Sequence, residues 1–238
     1  MSAKAVSPSS RDQWRTVFPL NEAQRAAKFL RDTWEELVTT KPQGFRATLR
    51  ENKLTEKLYI YLARTSTGKG RLTGFWINEK PDGELDDPHS TDPQIVKRIR
   101  KDITYASNLD NQRLELIFEF KKLSSKNSWV QYKGQDGMRR FVDGTYAKGL
   151  PLALMVGLVI GDYDSCLKGL KLSLQSKGSR DDLRMVDRDT GKYIFEPSTA
   201  FPSVAHFDTE HNRPADRAPR HGTMLLSHIF VTLPSDKT

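Results

Sequence analysis

Two carboxylates and a lysine occupy the most chemically suggestive positions of the sequence, within residues 100–123, RKDITYASNLDNQRLELIFEFKKL. The β-branched and aromatic residues on either side of a polar centre predict a β-hairpin with a four-residue turn at residues 109–112. Because side chains alternate along a strand, Glu119 and Lys121 share a face of the second strand. This turn places Asp102 of the first strand opposite Glu119. Directly opposed like charges are destabilising, so a divalent cation between the carboxylates would compensate them, and Lys121 would orient or activate a water beside it.

The same strand also has an ordinary interpretation. An amphipathic strand buries its apolar face and exposes its charges to water, and such alternation is typical of half-buried strands. On that interpretation the leucines and phenylalanines of residues 114–120 form the buried face, while Glu119 and Lys121 are solvated. The two interpretations therefore differ in whether Glu119 is exposed.

The composition allows one sizeable core and favours a polyanionic partner. The chain has 238 residues, with 38 Lys and Arg against 30 Asp and Glu, a net charge of +8 and a pI near 9.5. Nucleic acid is one such polyanion. The single cysteine, Cys166, cannot form an internal disulfide, and the longest apolar run, residues 150–160, is too short to span a bilayer. We therefore expect a cytoplasmic protein that does not enter a membrane.

Hydrophobic periodicity and turn signals predict alternating helices and strands. Residues 1–45 form a polar arm and a packing helix. Residues 46–238 form a larger domain, with a core at about residues 47–174 and then a loop-rich C-terminal extension with a final strand. The predicted elements are a helix at 21–39, a helix at 47–64, a strand at 72–78, an acidic turn-rich loop at 79–93, the hairpin, a helical pattern within 129–148, a buried strand at 150–160, a helix capped by Asp162 or Asp164, and a strand at 223–234.

A second group of potential metal ligands lies in the C-terminal part of the sequence. Within residues 179–222 its members are His206, Asp208, Glu210, His211 and His221. Their spacing matches no helix-borne metal motif, so the sequence does not favour a metal site there. His228, inside the final strand, is expected to be a core histidine with satisfied hydrogen bonds.

The hairpin, together with the elements around it, resembles the PD-(D/E)xK restriction-endonuclease-like nucleases. Glu119 and Lys121 match the E-x-K pair of that superfamily, and Asp102 matches the aspartate that precedes it. Lys101 replaces the proline of the consensus, which does no chemistry. The resemblance covers about residues 47–174 and implies an α/β (α+β) fold with an αβββαβ core, in which helices flank a mixed central sheet.

The resemblance also implies an activity, hydrolysis of phosphodiester bonds in DNA or, less readily, in RNA. Asp102, Glu119 and the carbonyl of Phe120 would hold Mg²⁺ or Mn²⁺, and Lys121 would position the nucleophile or stabilise the transition state. Glu51 becomes a further catalytic candidate, because in a subset of these folds the preceding helix contributes an acidic residue. The cations expected to follow the nucleic-acid backbone are Lys97, Arg98, Arg100, Lys101, Lys122, Arg139 and Arg140.

The segments GMRRFVDGTYAKG and LALMVGLV resemble the helix and strand that follow E-x-K in nuclease subunits of bacterial antiviral systems. This similarity suggests a defence effector, acting with a partner protein subunit or as a homodimer. Two other functions remain open. The chain could be a nuclease-fold binding module without turnover, or an interaction subunit of a larger complex whose charge is incidental.

Overall fold

The computed structural model describes residues 13–85, 95–108 and 113–235, and for residues 80–85 and 95–100 it describes the backbone only. Within these ranges the fold is mixed α+β, and seven strands form one mixed sheet in the order β1-β2-β3-β4-β7-β6-β5. The strands are β1 (Phe75–Leu85), β2 (Ile95–Ser107), β3 (Leu114–Leu123), β4 (Leu152–Val159), β5 (Ile194–Phe195), β6 (Phe207–Asn212) and β7 (Thr223–Thr232). The helices are α1 (Trp14–Val17), α2 (Leu20–Thr40), α3 (Glu51–Thr65), α4 (Lys126–Lys133), α5 (Met138–Val142), α6 (Tyr163–Gln175) and α7 (Lys177–Asp182), with a 3₁₀ turn at Pro42–Gly44.

The centre of the sheet is parallel and its edges are antiparallel. Strand β4 pairs parallel with both β3 and β7, whereas the β1–β2, β2–β3, β5–β6 and β6–β7 pairs are antiparallel. All eight residues of β4 are buried, which confirms the predicted strand covered on both faces. Parallel strands buried on both faces are typically near-continuous apolar runs, and LALMVGLV is such a run with one glycine.

Helices cover both faces of this sheet. On one face α2 and α3 pack against the strands, and the cluster includes Leu30, Trp34, Leu54, Leu116 and Phe118. On the other face α4, α5 and α6 pack against the strands, and the cluster includes Ile117, Tyr132, Phe141, Met155 and Leu170. Alternate residues of β3 therefore enter different clusters, as the period of a strand requires. No helix in the described ranges is long and apolar enough to cross a membrane.

Strand β1 is longer than the sequence predicted. It continues to Leu85, where a turn-rich loop was expected from residue 79, and it contains Pro81 and Gly83. These residues are tolerated because β1 is an edge strand, on which a missing N–H or side chain costs little. The remainder of the predicted loop, residues 86–93, and the predicted hairpin turn, residues 109–112, lie outside the described residues.

Two helix predictions also change. The pattern within residues 129–148 is two helices, α4 and α5, separated by a turn. Gly137 lies in that turn, and a Cβ on it would meet the carbonyl oxygen of Tyr132 at 2.1 Å, so the chain needs glycine there. Helix α3 begins at Glu51 and not near residue 47, which makes Glu51 its first residue.

The region predicted to be loop-rich contains strands β5 and β6. Asp208 of β6 is fully buried, and its Oδ1 accepts hydrogen bonds from Ser198 Oγ at 2.6 Å and Ser227 Oγ at 2.7 Å. The sequence FDTEHN does not suggest a buried strand because four of its six residues are charged or strongly polar. Hydrogen bonds inside the fold satisfy these groups, as burial of polar atoms requires.

Candidate active site

The register between β2 and β3 is the one predicted for the hairpin. Ser107 pairs with Leu114 and Ile103 with Phe118, and the same offset carries Asp102 to Glu119. The ladder does not continue to that pair. There the carboxylate of Asp102 accepts a hydrogen bond from the backbone N–H of Phe120, at 2.9 Å. The Asp102 side chain is thus fixed to the backbone between Glu119 and Lys121.

Lys121 of β3 links this strand to helix α3. Its Nζ donates to Glu119 Oε1 at 2.8 Å, to Glu51 Oε1 at 3.0 Å and to the carbonyl oxygen of Phe120 at 2.7 Å. The second oxygen of Glu51 accepts from the backbone N–H of Lys122 at 2.9 Å. A carboxylate on the first residue of a helix also interacts favourably with the helix dipole. The structure therefore gathers the four predicted catalytic side chains in one place.

Glu119 is 1% exposed, so the amphipathic-strand interpretation, which left it solvated, is wrong. Its Oε1 accepts from Lys121, while Oε2 is buried and has no hydrogen-bond partner among the described residues. Burial, together with repulsion from Asp102, raises the pKa of Glu119 to about 8. Burial also raises the pKa of Asp102. Two carboxyl groups that share a buried site cannot both ionise easily, and Glu119 therefore keeps its proton into the neutral range.

The donor atoms suit a hard divalent cation. Carboxylate and carbonyl oxygens are the ligands that Mg²⁺ and Mn²⁺ prefer, and Glu119 Oε2 is an acceptor left without a partner in the described part of the chain. Asp102, Glu119 and the carbonyl of Phe120 could hold such an ion, with water completing the shell. The ammonium of Lys121 now contacts Glu119 Oε1 and the Phe120 carbonyl. No three His, Cys, Asp or Glu side chains of the described ranges converge as a complete metal site.

Two of the cations expected on a nucleic-acid track have other roles. Lys101 is 4% exposed, and its Nζ lies 3.1 Å from Glu115 Oε1 in a buried ion pair, so it is not on the surface. The Nζ of Lys122 donates to the carbonyl oxygens of Ala47, at 2.6 Å, and Leu49, which ties β3 to the segment before α3. These two contacts use two of the three N–H donors of the ammonium and stabilise the fold.

The other five cations divide into two groups. Lys97, Arg98 and Arg100 belong to the part of β2 directly before Asp102, and their side chains lie outside the described residues. Arg139 and Arg140 are partly exposed neighbours on α5. Arg139 pairs with Asp182 at 2.7 Å, whereas Nη1 of Arg140 lies 3.9 Å from Glu119 Oε1.

Tyr146 is a residue that the sequence did not connect with this site. It falls within the helical pattern predicted for residues 129–148, but it lies in the loop after α5, is 1% exposed, and accepts a hydrogen bond from Nη1 of Arg140. Burial, with the carboxylates of Glu119 and Asp102, raises the pKa of Tyr146 to about 12. No periodicity links Tyr146 to Glu119, because 27 positions of chain, two helices and a turn separate them.

Within the described ranges, the histidines of the C-terminal part do not group into a metal site. His211 Nδ1 bonds to the carbonyl oxygen of Leu183 at 2.7 Å, and His206 Nε2 bonds to the hydroxyl of Tyr163 at 2.6 Å. The two acidic residues of this group also accept hydrogen bonds. Asp208 accepts them from serine hydroxyls, and Glu210 accepts them from Thr223 and Arg188.

His228 is fully buried, as predicted for a core histidine. Its Nδ1 bonds to Tyr132 Oη at 2.8 Å and its Nε2 to Thr209 Oγ1 at 2.8 Å. Both ring nitrogens are therefore satisfied inside the core.

Comparison with known proteins adds no relative from which a role could be transferred. No protein-family model, no curated protein and no solved structure matches this chain.

Proposed function

We propose that this protein is a metal-dependent nuclease that hydrolyses phosphodiester bonds of DNA. The observation that carries the proposal is the cluster at the end of β3, where Glu51, Asp102, Glu119 and Lys121 meet although they come from a helix and two strands. Burying acidic groups around one ammonium costs free energy, because each charge loses its hydration. Such a costly, strongly perturbed cluster is more often a functional site than a structural one.

The order of the elements supports the same proposal. Helix α3 is followed by β1, β2 and β3, then by α4 and α5, and then by β4, which lies parallel to β3. This order is similar to the αβββαβ order expected from the resemblance to the restriction-endonuclease-like nucleases. The net charge of +8 supports a polyanionic substrate.

The chain's own residues divide the chemistry between them. Asp102 and Glu119, with the carbonyl of Phe120, would hold Mg²⁺ or Mn²⁺, whose Lewis acidity makes water more acidic and neutralises charge that builds on the phosphate. Lys121 keeps a positive charge beside the reacting phosphate, because Glu119 and Glu51 raise the pKa of its ammonium despite burial. Glu51 holds that ammonium in place through its hydrogen bond to the Lys122 backbone.

The test is cleavage of plasmid, linear and single-stranded DNA in Mg²⁺ by wild type and by Lys121→Ala. We expect Lys121→Ala to lose cleavage by at least about 100-fold, because it removes charge stabilisation in the transition state. DNA affinity should stay within a few-fold, because one lysine is a small part of the electrostatic footprint. The matched control is Lys177→Ala, which also removes one lysine from an ion pair, 2.5 Å from Asp181 on the exposed helix α7.

The outcomes separate the proposed nuclease from the alternatives. Wild type that binds DNA but cleaves none of the substrates would indicate a binding module without turnover. Cleavage that persists in Lys121→Ala would show that the activity does not use this cluster. If a partner subunit delivers the substrate, cleavage by wild type appears only when the products of neighbouring genes are added, and Lys121→Ala abolishes that activity too.

A further inference from the structure

Arg140 lies beside the proposed site and is partly exposed to solvent. Its Nη1 is 3.9 Å from Glu119 Oε1, which is longer than a hydrogen bond, so the carboxylate does not saturate the guanidinium. The Arg140 side chain is 31% exposed, whereas that of Glu119 is 2% exposed. An anion that approaches the buried carboxylates from solvent therefore meets Arg140 beside them.

Three contacts hold the guanidinium of Arg140, and they differ in strength. Nε donates to the carbonyl oxygen of Gln135 at 3.2 Å, Nη2 donates to Asp136 Oδ1 at 2.6 Å, and Nη1 donates to the hydroxyl of Tyr146. The Asp136 side chain is 80% exposed, and an ion pair so open to water contributes little. The hydrogen bond to Tyr146 is the least exposed of the three. The guanidinium also lies 5.1 Å from the centre of the Tyr146 ring.

Tyr146 is itself fixed in position. Its ring packs edge-to-face on Phe141 with centroids 5.5 Å apart, and its carbonyl oxygen accepts a hydrogen bond from Arg213 Nη2 at 2.7 Å. Since Tyr146 is 1% exposed, its hydroxyl has little access to solvent. These contacts hold Tyr146 in place, and its hydroxyl and ring in turn hold the guanidinium of Arg140.

We propose that Arg140 is a catalytic residue that binds a non-bridging oxygen of the scissile phosphate, and that Tyr146 is the positioning residue that holds it there. This inference rests on the proposed nuclease function and deepens it. A guanidinium suits the role because its planar fork matches phosphate geometry and keeps its charge at any working pH. Donors fixed in advance towards developing charge stabilise the transition state more than the bound substrate. The role differs from general tracking of the DNA backbone, in which Arg140 would govern affinity and not rate.

The experiment measures cleavage at saturating DNA in Mg²⁺, and DNA affinity in EDTA, where no turnover occurs. Arg140→Gln should slow cleavage about 100-fold, the usual effect of removing one fixed donor. In EDTA it should weaken binding only a few-fold and reduce the slope of log K against log[salt] by about 0.9, the contribution of one neutralised phosphate of duplex DNA. Arg184→Gln is the matched control, because Arg184 also pairs with an aspartate, Asp143 at 3.2 Å, and its side chain is 43% exposed. It should change neither the rate nor the slope.

A double-mutant cycle tests the positioning role of Tyr146. Tyr146→Phe keeps the ring and removes the hydroxyl, and we expect cleavage about 10-fold slower with unchanged affinity. Because Tyr146 acts through Arg140, the double variant should be no slower than Arg140→Gln alone. Arg140→Lys, which keeps the charge but not the fork, should fall between wild type and Arg140→Gln. Melting curves of each variant show whether it is folded at the assay temperature.

Each outcome bears on one part of the inference. Full activity of Arg140→Gln, or an equal loss in Arg184→Gln, would overturn the catalytic role of Arg140 while leaving the proposed nuclease intact. Multiplicative losses in the double variant would overturn the positioning role of Tyr146. A wild-type protein that cleaves no nucleic acid, either alone or with the products of neighbouring genes, would instead overturn the proposed function, and this inference with it.

Discussion

The buried carboxyl of Glu119 should make the stability of this protein fall as pH rises through the neutral range. The pKa of Glu119 in the folded protein is raised from 4.5 to about 8, by burial first and by Asp102 second. In the unfolded chain the same group is ionised above pH 4.5. A carboxyl whose pKa is higher in the folded state adds stability that is complete below the unfolded pKa and is lost as pH rises to the folded pKa. The substitution Glu119→Gln removes this proton equilibrium and keeps the shape of the side chain.

The size of the effect follows from that shift. Each pH unit between the two pKa values changes the free energy of unfolding by about 1.4 kcal/mol. Between pH 6.5 and pH 8 the wild type should therefore lose about 2 kcal/mol that the Gln variant does not lose. For a chain of this size that difference corresponds to a melting temperature about 4–8 °C lower. Above about pH 9 Glu119 is ionised in both the folded and the unfolded state. The melting temperatures of the two proteins should then change with pH in parallel.

The assay is thermal unfolding in EDTA at intervals from pH 6.5 to 9, for wild type, Glu119→Gln and the control Glu196→Gln. Glu196 pairs with Lys171 at 2.6 Å but is half-exposed, so its replacement should follow the wild-type pH dependence. We expect the melting temperature of Glu119→Gln to become higher, relative to wild type, as pH rises. A constant difference across this range would refute the argument, because it would mean that Glu119 is already ionised at pH 6.5.

Two other predictions concern metal and DNA. Several millimolar Mn²⁺ should raise the melting temperature of wild type, because a ligand that binds only the folded state stabilises it. The effect on Asp102→Asn should be much smaller, because this variant lacks one of the two carboxylates. Equal shifts of the melting temperature in the two proteins would exclude Asp102 as a ligand. Lys101→Ala should lower the free energy of unfolding by about 1.5–3 kcal/mol, because it removes a buried, charge-assisted contact to Glu115, and it should leave the salt dependence of DNA binding unchanged. Replacing Lys97, Arg98 and Arg100 with Ala should flatten that salt dependence by about 0.9 for each phosphate that these side chains neutralise in the wild type, and an unchanged slope would place the DNA-binding surface elsewhere.

The local geometry of the hairpin could be predicted from the sequence alone. Side-chain alternation assigned the leucines and phenylalanines of β3 to one face, and the turn length predicted the register that brings Asp102 to Glu119. The apolar run of β4 predicted a strand buried on both faces. These features depend on the period of a strand and on residues close together in the chain, and both can be read directly from a sequence.

Which charges are buried, and which groups they contact, depends on the tertiary structure. Glu51 reaches Lys121 across 70 positions of chain, and Lys101 turns to Glu115 instead of the surface. The alternating pattern of β3 is the same whether Glu119 is solvated or 1% exposed, since the difference lies in the helices packed on that face. Arg139 and Arg140 are adjacent arginines that the sequence does not distinguish. In the structure Arg139 pairs with Asp182, whereas Arg140 lies beside Glu119. Partners of this kind depend on how helices pack on the sheet, a long-range property that no local period encodes.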